Sequence, residues 1–262
     1  MASEAKSGNQ TETESKGISG VALAGLIIAL ISFVVFFISG FGYNWKIWSL
    51  GTAFQLLKYG AFGGIGGLVI SIIGIVITSL RHNRTGIGIS FVGIIAGLIV
   101  TATFGYFYHR ATTAPPIHDI TTDIENPPDF IALVPIRANA PNETIYPGGK
   151  TAKLQRENYP DIKPLYLDVS KEEAFNRALA AAKKMSWWKI QATDSSSGHI
   201  EATSTIPWFG FKDDIVVRVT ADSASGKSRI DVRSVSRLGK SDIGENARRI
   251  HKYMDEIRAL TP

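Results

Sequence analysis

PPIHDITTDIENPPDF, residues 115–130, is where this chain changes character. Before it lie long apolar runs, and after it the composition is that of an ordinary globular domain. The stretch holds two proline pairs, one histidine and four acidic residues, with no helical or strand period. Proline fixes φ and lacks an N–H, so the segment reads as extended and turn-rich. Seven prolines between Ala111 and Lys150 extend that reading to a belt, 111–150, wrapped on the domain that follows. Phe130, Ile131, Leu133, Val134 and Ile136 supply its apolar residues and are expected to be buried.

Toward the N-terminus, three uncharged runs stand out, at 18–42, 61–80 and 86–108. Each reaches the ~20 residues that cross a hydrocarbon core as a helix. Gly63 with Gly67, and Gly93 with Gly97, are spaced four apart and allow close backbone approach between helices. Residues 44–59, with Trp45, Trp48 and Tyr59 and the snorkelling Lys46 and Lys58, read as an interfacial segment. Residues 1–17 are too polar to pack and are expected to be a disordered tail. Near-membrane cations divide as Lys6, Lys16, Arg81 and Arg84 on one side, and Lys46, Lys58 and Arg110 on the other. Two arginines in one short turn favour that side as cytoplasmic. The expectation is a multi-pass protein of the cytoplasmic (inner) membrane, with its N-terminus inside and its C-terminal domain outside, in the periplasm of a Gram-negative cell.

The formal charge of +5 is concentrated near the apolar runs. From Ala111 onward there are 21 Lys and Arg against 20 Asp and Glu, which disfavours nucleic acid as a partner. The expected partners are the lipid bilayer and an envelope protein. The chain has no cysteine, so disulfides, thiolate chemistry and Cys-based zinc sites are excluded. No cofactor or metal is expected, and no HxH or HExxH spacing occurs.

Toward the C-terminus, residues 151–262 read as an α+β domain. Pro164–Val169 is a short extended segment. Ser170 with Glu173 forms a capping box for a helix ending near Met185. Trp188–Thr193, His199–Thr205, Asp214–Ala221 and Ser228–Val235 alternate as four antiparallel strands. Asp242 with Glu245 suggests a second capping box, for a helix over Ile243–Leu260. The predicted class is three transmembrane helices followed by a four-stranded antiparallel sheet flanked in sequence by two helices.

Three constellations carry chemistry. His118, Asp119 and Asp123 suit acid–base work or cation binding, against the plainer reading of Asp and Thr bonding their own backbone. Asp213, Asp214 and Arg218 open the third strand. Arg233, Ser236, Arg237, Asp242, Asn246 and Arg249 lie between Asp231 and Ile250, with Arg233, Val235 and Arg237 on one strand face and Ser234 and Ser236 on the other. Arginines beside a helix N-terminus suit an anion. The competing account pairs those arginines with Asp213, Asp214 or the belt, as a network serving the fold. No GxSxG elbow, P-loop or GxGxxG occurs in the globular part. Trp208 and Phe209, at the PWFGF tip, read as touching the membrane or a partner, or as packed inward.

IHDITTD with ENPPDF, YPDIKPL, FGFKDD with Arg218, and RSVSRLGKSDIGENARRI together resemble an uncharacterised bacterial family. It is catalogued as domain of unknown function number fourteen ninety-nine. The resemblance covers 115–260 and implies membrane helices ahead of the domain. It implies no catalytic residue. The expected function is a membrane-anchored envelope domain binding a partner or a small anionic or lipid ligand. The alternatives are a hydrolase using His118 with Asp119 and Asp123, and a subunit of a larger membrane complex.

Overall fold

A computed structural model describes residues 17–81 and 84–260. It divides into two compact units, Met1–Ser39 with Phe54–Phe104, and Gly40–Ala53 with Gly105–Pro262. The expected tail, 1–17, lies outside the described residues apart from Gly17.

In chain order, β1 (Gly17–Ile18) precedes α1 (Gly20–Asn44) and α2 (Leu50–Leu80), and β2 (Arg84–Thr85) precedes α3 (Ile87–Thr113). The three helices are long and apolar enough to cross a membrane, which suggests membrane anchoring. β1 and β2 form a two-residue parallel bridge. Within the first unit, a Cβ on Gly60 would lie 2.7 Å from the Phe36 nitrogen, and one on Gly67 2.6 Å from the Ala29 nitrogen. These helices therefore meet backbone to backbone, and the approach requires glycine. Gly63, Gly93 and Gly97 also sit at close contacts. The stretch 44–59, expected to be an interfacial segment, is divided: a turn covers 45–48, and α2 begins at Leu50 and runs unbroken through Lys58 to Leu80. Nothing between Leu50 and Tyr59 breaks a helix strongly enough to divide it.

The globular part continues with β3 (Asp119–Thr121), α4 (Leu133–Ile136), α5 (Gly149–Asn158), β4 (Leu165–Leu167) and α6 (Lys171–Lys184). It closes with β5 (Trp188–Asp194), β6 (His199–Thr205), β7 (Lys212–Asp222), β8 (Lys227–Ser236) and α7 (Glu245–Ala259). The sheet order is β3-β8-β7-β6-β5, with β4 also on β8, and every pair is antiparallel. The four expected strands are contiguous as β8-β7-β6-β5, and two short strands extend the sheet beyond β8. Gln155 of α5 bonds both backbone groups of Thr121, so a side chain stands in for the next strand beside β3.

β7 is buried over Asp213–Val217 and β8 over Ile230–Ser236, because both faces of the sheet are covered there. One face carries Ile215, Val217, Val219, Ile230 and Val232 against Ala174, Ala178, Ile250 and Ile257 of α6 and α7. The small alanine stripe of α6 lets that helix approach closely. The Tyr253 hydroxyl crosses from α7 to the Ala178 carbonyl at 2.8 Å. Trp188 stacks near the same ring, with centroids 5.1 Å apart. The other face carries Val216 and Val235 against Phe130 and Leu133 of the belt. Ile131, Val134 and Ile136, expected to be buried, are exposed, since a four-residue helical turn presents only one side to the sheet.

The Ser170 cap forms, with its hydroxyl accepting from the Glu173 nitrogen. The second capping box does not. Asp242 accepts from the Gly244 and Asn246 nitrogens, while the Glu245 carboxylate turns to Arg110 and Arg248.

Candidate functional site

Strand alternation distributes the predicted site residues over two faces of the sheet. Asp119, Asp214, Arg218 and Arg233 point to the belt, and Asp213, Ser234 and Ser236 to α7.

On the belt face, Arg233 and Asp119 form a two-pronged pair, Nε to Oδ1 at 3.0 Å and Nη2 to Oδ2 at 2.7 Å. Both side chains are essentially excluded from solvent. The remaining guanidinium donors reach the Pro128 and Thr144 carbonyls at 3.2 and 2.7 Å. The Phe130 and Tyr146 rings lie 5.3 and 5.5 Å from its carbon. Burial pushes the Asp119 carboxyl up, against the pull of Arg233 beside it. It also pushes the Tyr146 hydroxyl up to about 12.

Beside this pair, Asp214 holds Arg237 through two 2.8 Å bonds and accepts from the Thr203 hydroxyl at 2.7 Å. Arg137 of the belt approaches the same carboxylate at 3.4 Å. Burial lowers the Arg137 pKa from its ordinary value, and the like charges of Arg237 and Arg233 act in the same direction. Further along β8, Asp123 and Asp231 share Arg218 and Arg229.

Glu201, wholly buried in mid-β6, accepts from the Ile131, Ala132 and Leu133 nitrogens at 2.6, 3.0 and 2.7 Å. It thereby tethers the start of α4 to the sheet. Its other close partner is the His199 ring, 2.7 Å away. Burial alone would raise this carboxyl, but His199 and the three N–H groups outweigh it and hold it below the usual range.

On the helix face, Arg249 pairs with Asp213 at 2.5 Å and reaches Ser234 at 3.1 Å. Asn246 donates to the Ser236 hydroxyl and the His118 carbonyl at 3.0 and 2.9 Å.

The open anion cradle foreseen from Arg233 and Arg237 beside the last helix does not form among the described residues. Those arginines are on the belt face, and the N-terminus of α7 on the other face is occupied by Asp242. His118, Asp119 and Asp123 also fail to converge. Asp119 is committed to Arg233 and Asp123 to Arg229, and His118 enters no ion pair among the described residues. No group of three metal-ligating side chains is present among the described residues.

Residues 119–257 match the family described as Protein of unknown function (DUF1499). That is just over half of the chain. The chain belongs to this family. The match begins at Asp119, the partner of Arg233, and ends at Ile257 on the buried side of α7. No curated protein and no solved structure matches the chain.

Sequence reasoning did not single out Glu201, Arg137, Asp231 or Arg229. Glu201 had only strand alternation in HIEATST as a signal, and alternation does not tell a covered face from a wet one. It also missed a cavity of about 350 Å³ on the DUF1499 domain, lined by His118, Lys150, Thr151 and Lys240 among others. Its one trace is GGKT at 148–151, a glycine pair opening α5 with Gly148 and Gly149 at φ of 59° and 38°.

Two predictions follow from these bonds. Arg233→Met is expected to cost ~3–5 kcal/mol, because it strands a buried carboxylate. Asp119→Leu added to it should recover most of the loss. Denaturant unfolding of the purified full chain, followed by tryptophan fluorescence, checks both. Glu201→Gln is expected to cost ~1–3 kcal/mol at neutral pH by weakening the tether on α4. Since the folded carboxyl sits below its unfolded value, that stabilisation is present above pH ~4.5 and fades as pH falls through the folded pKa. Wild type and variant should thus converge in acid, and a gap independent of pH refutes the assignment.

Proposed function

We propose that this chain is a membrane-anchored DUF1499 domain of the bacterial envelope that binds a small anionic ligand, with no catalytic step. The observation that carries the reading is the cavity beside His118. Lys150 and Lys240 bring two cations to its rim, and Thr151 and His118 add polar groups. The one acidic side chain in its lining, Asp119, is tied to Arg233. The first turn of α5, which supplies Lys150 and Thr151, contains no acidic residue and no side-chain cap. Partial positive charge at a helix start reinforces the lysines. The volume lies in the range of small-ligand sites.

Titration of the full chain in detergent with inorganic phosphate tests this. Saturable binding is expected with Kd near or below ~1 mM, equivalent to about −4 kcal/mol. Lys150→Gln with Lys240→Gln should weaken it by roughly tenfold or more, since each removes a cation from the rim. Absence of saturable binding, or an unchanged affinity in the double variant, overturns the reading.

We infer further that the domain lies on the outer side of the cytoplasmic membrane, with the α2–α3 turn inside. Support comes from Arg81 and Arg84 in that turn. The chain lacks cysteine, so Ala224→Cys offers a single thiol. A membrane-impermeant maleimide should label it in cells with a permeabilised outer membrane and an intact inner one. Labelling that appears only after the inner membrane is broken reverses the orientation.

A further inference from the structure

The strands define two ends of the domain. At one end lie the β5–β6 and β7–β8 turns, with the exposed Ala224 in the second. At the other lie the start of β5, the end of β6, the start of β7 and the end of α6. The Ile206–Phe211 connection at this second end packs on the final turn of α1. The Asn44 amide donates to the Pro207 carbonyl at 2.8 Å. Phe209 and Phe211 lie against Tyr43, with ring centroids 6.3 and 5.9 Å away. Trp208 lies 5.9 Å from Phe107 of α3. The PWFGF tip is thus packed inward onto Tyr43 and Asn44 of α1 and Phe107 of α3.

Trp187 is at the same end, since its carbonyl accepts from the Thr205 nitrogen just before that tip. It is 59% exposed and has φ of 66°, a left-handed conformation that costs a bulky residue energy. Its neighbour Trp188 fills the core against Tyr253, so Trp187 is not needed there. Around it in KKMSWWK are Lys183 and Lys184, at the exposed end of α6, and Lys189, exposed on the edge strand. None of the three has an acidic partner among the described residues. Lysines at a helix C-terminus complement its dipole, which accounts for two of them but not for Lys189 or for the displayed indole.

We propose that Trp187, with Lys183, Lys184 and Lys189, is a docking surface for the anionic headgroup layer of the bilayer that holds the helices. Tryptophan partitions to the headgroup level, where one edge is apolar and the other wet. Lysines beside it are drawn to anionic lipid, each by roughly 1 kcal/mol near the surface. The surface stands whether or not the His118 cavity holds an anion, because the two share no residue.

The chain's lack of cysteine allows a direct test on the full-length protein in vesicles. A fluorescent probe on Ser186→Cys reports the position next to an intact Trp187, and one on Ala224→Cys reports the far end. In phosphatidylcholine vesicles containing phosphatidylglycerol, the first probe should be quenched by a headgroup-attached quencher and shielded severalfold from a water-soluble one. The second should show the reverse. Trp187→Gly fits the left-handed backbone, so it should leave the melting temperature undiminished while restoring water access at 186. Lys183→Gln, Lys184→Gln and Lys189→Gln together should abolish the difference between anionic and neutral vesicles, as should high salt. The proposal is overturned if the probe at 186 is as water-accessible as that at 224 in anionic vesicles. It is equally overturned if the shielding is indifferent to lipid charge and to the lysines.

Discussion

The Asp119–Arg233 pair is the constraint on which the globular part depends. Arg233 lies on β8, which pairs with β3, β4 and β7, and its guanidinium is fully enclosed. A buried cation without a carboxylate is prohibitively placed, so Asp119 must arrive in register on β3. That fixes the first residues after the last apolar helix. The unused donors then collect the Pro128 and Thr144 carbonyls, drawing two separate points of the belt over the sheet. One guanidinium organises a strand, two ring contacts and two points of the belt. The start of the family match at Asp119 coincides with the start of this arrangement.

The sheet is therefore covered by two different materials. On one side α6 and α7 supply an apolar layer of small and branched residues, with non-directional cohesion. On the other, a belt rich in proline supplies few apolar groups, and directional bonds hold it instead. Arg233, Arg237 and Arg137 face Asp119 and Asp214, and Glu201 binds three consecutive N–H groups. Charged layers of this kind are not reliably more stable than apolar ones. Their effect is geometric, since a belt without regular secondary structure has no other means of adopting one path.

That arrangement also accounts for the charged residues that stood out in the sequence. Acidic and basic residues that looked like a site in sequence are consumed by one another, and a carboxylate held by arginine is a poor base. Lys150 and Lys240 at the cavity, and Lys183, Lys184 and Lys189 around Trp187, have no ion-pair partner among the described residues.

Much of the architecture was legible in the residues. Three apolar runs can only be helices in lipid, and strict alternation over 188–235 can only be strands, because backbone polar groups must be satisfied and side-chain period is fixed by geometry. The face assignment of Arg233 against Ser234 followed from the same period. The fate of each charge was not legible. Whether Arg237 met an outside anion or Asp214, whether Glu201 faced water or three N–H groups, and whether Trp187 or Trp188 entered the core all depended on what covered each face. The sequence by itself determined the class of each segment through local periodicity. The tertiary structure alone decided which charges were neutralised, because burial and partnership are properties of distant segments brought together.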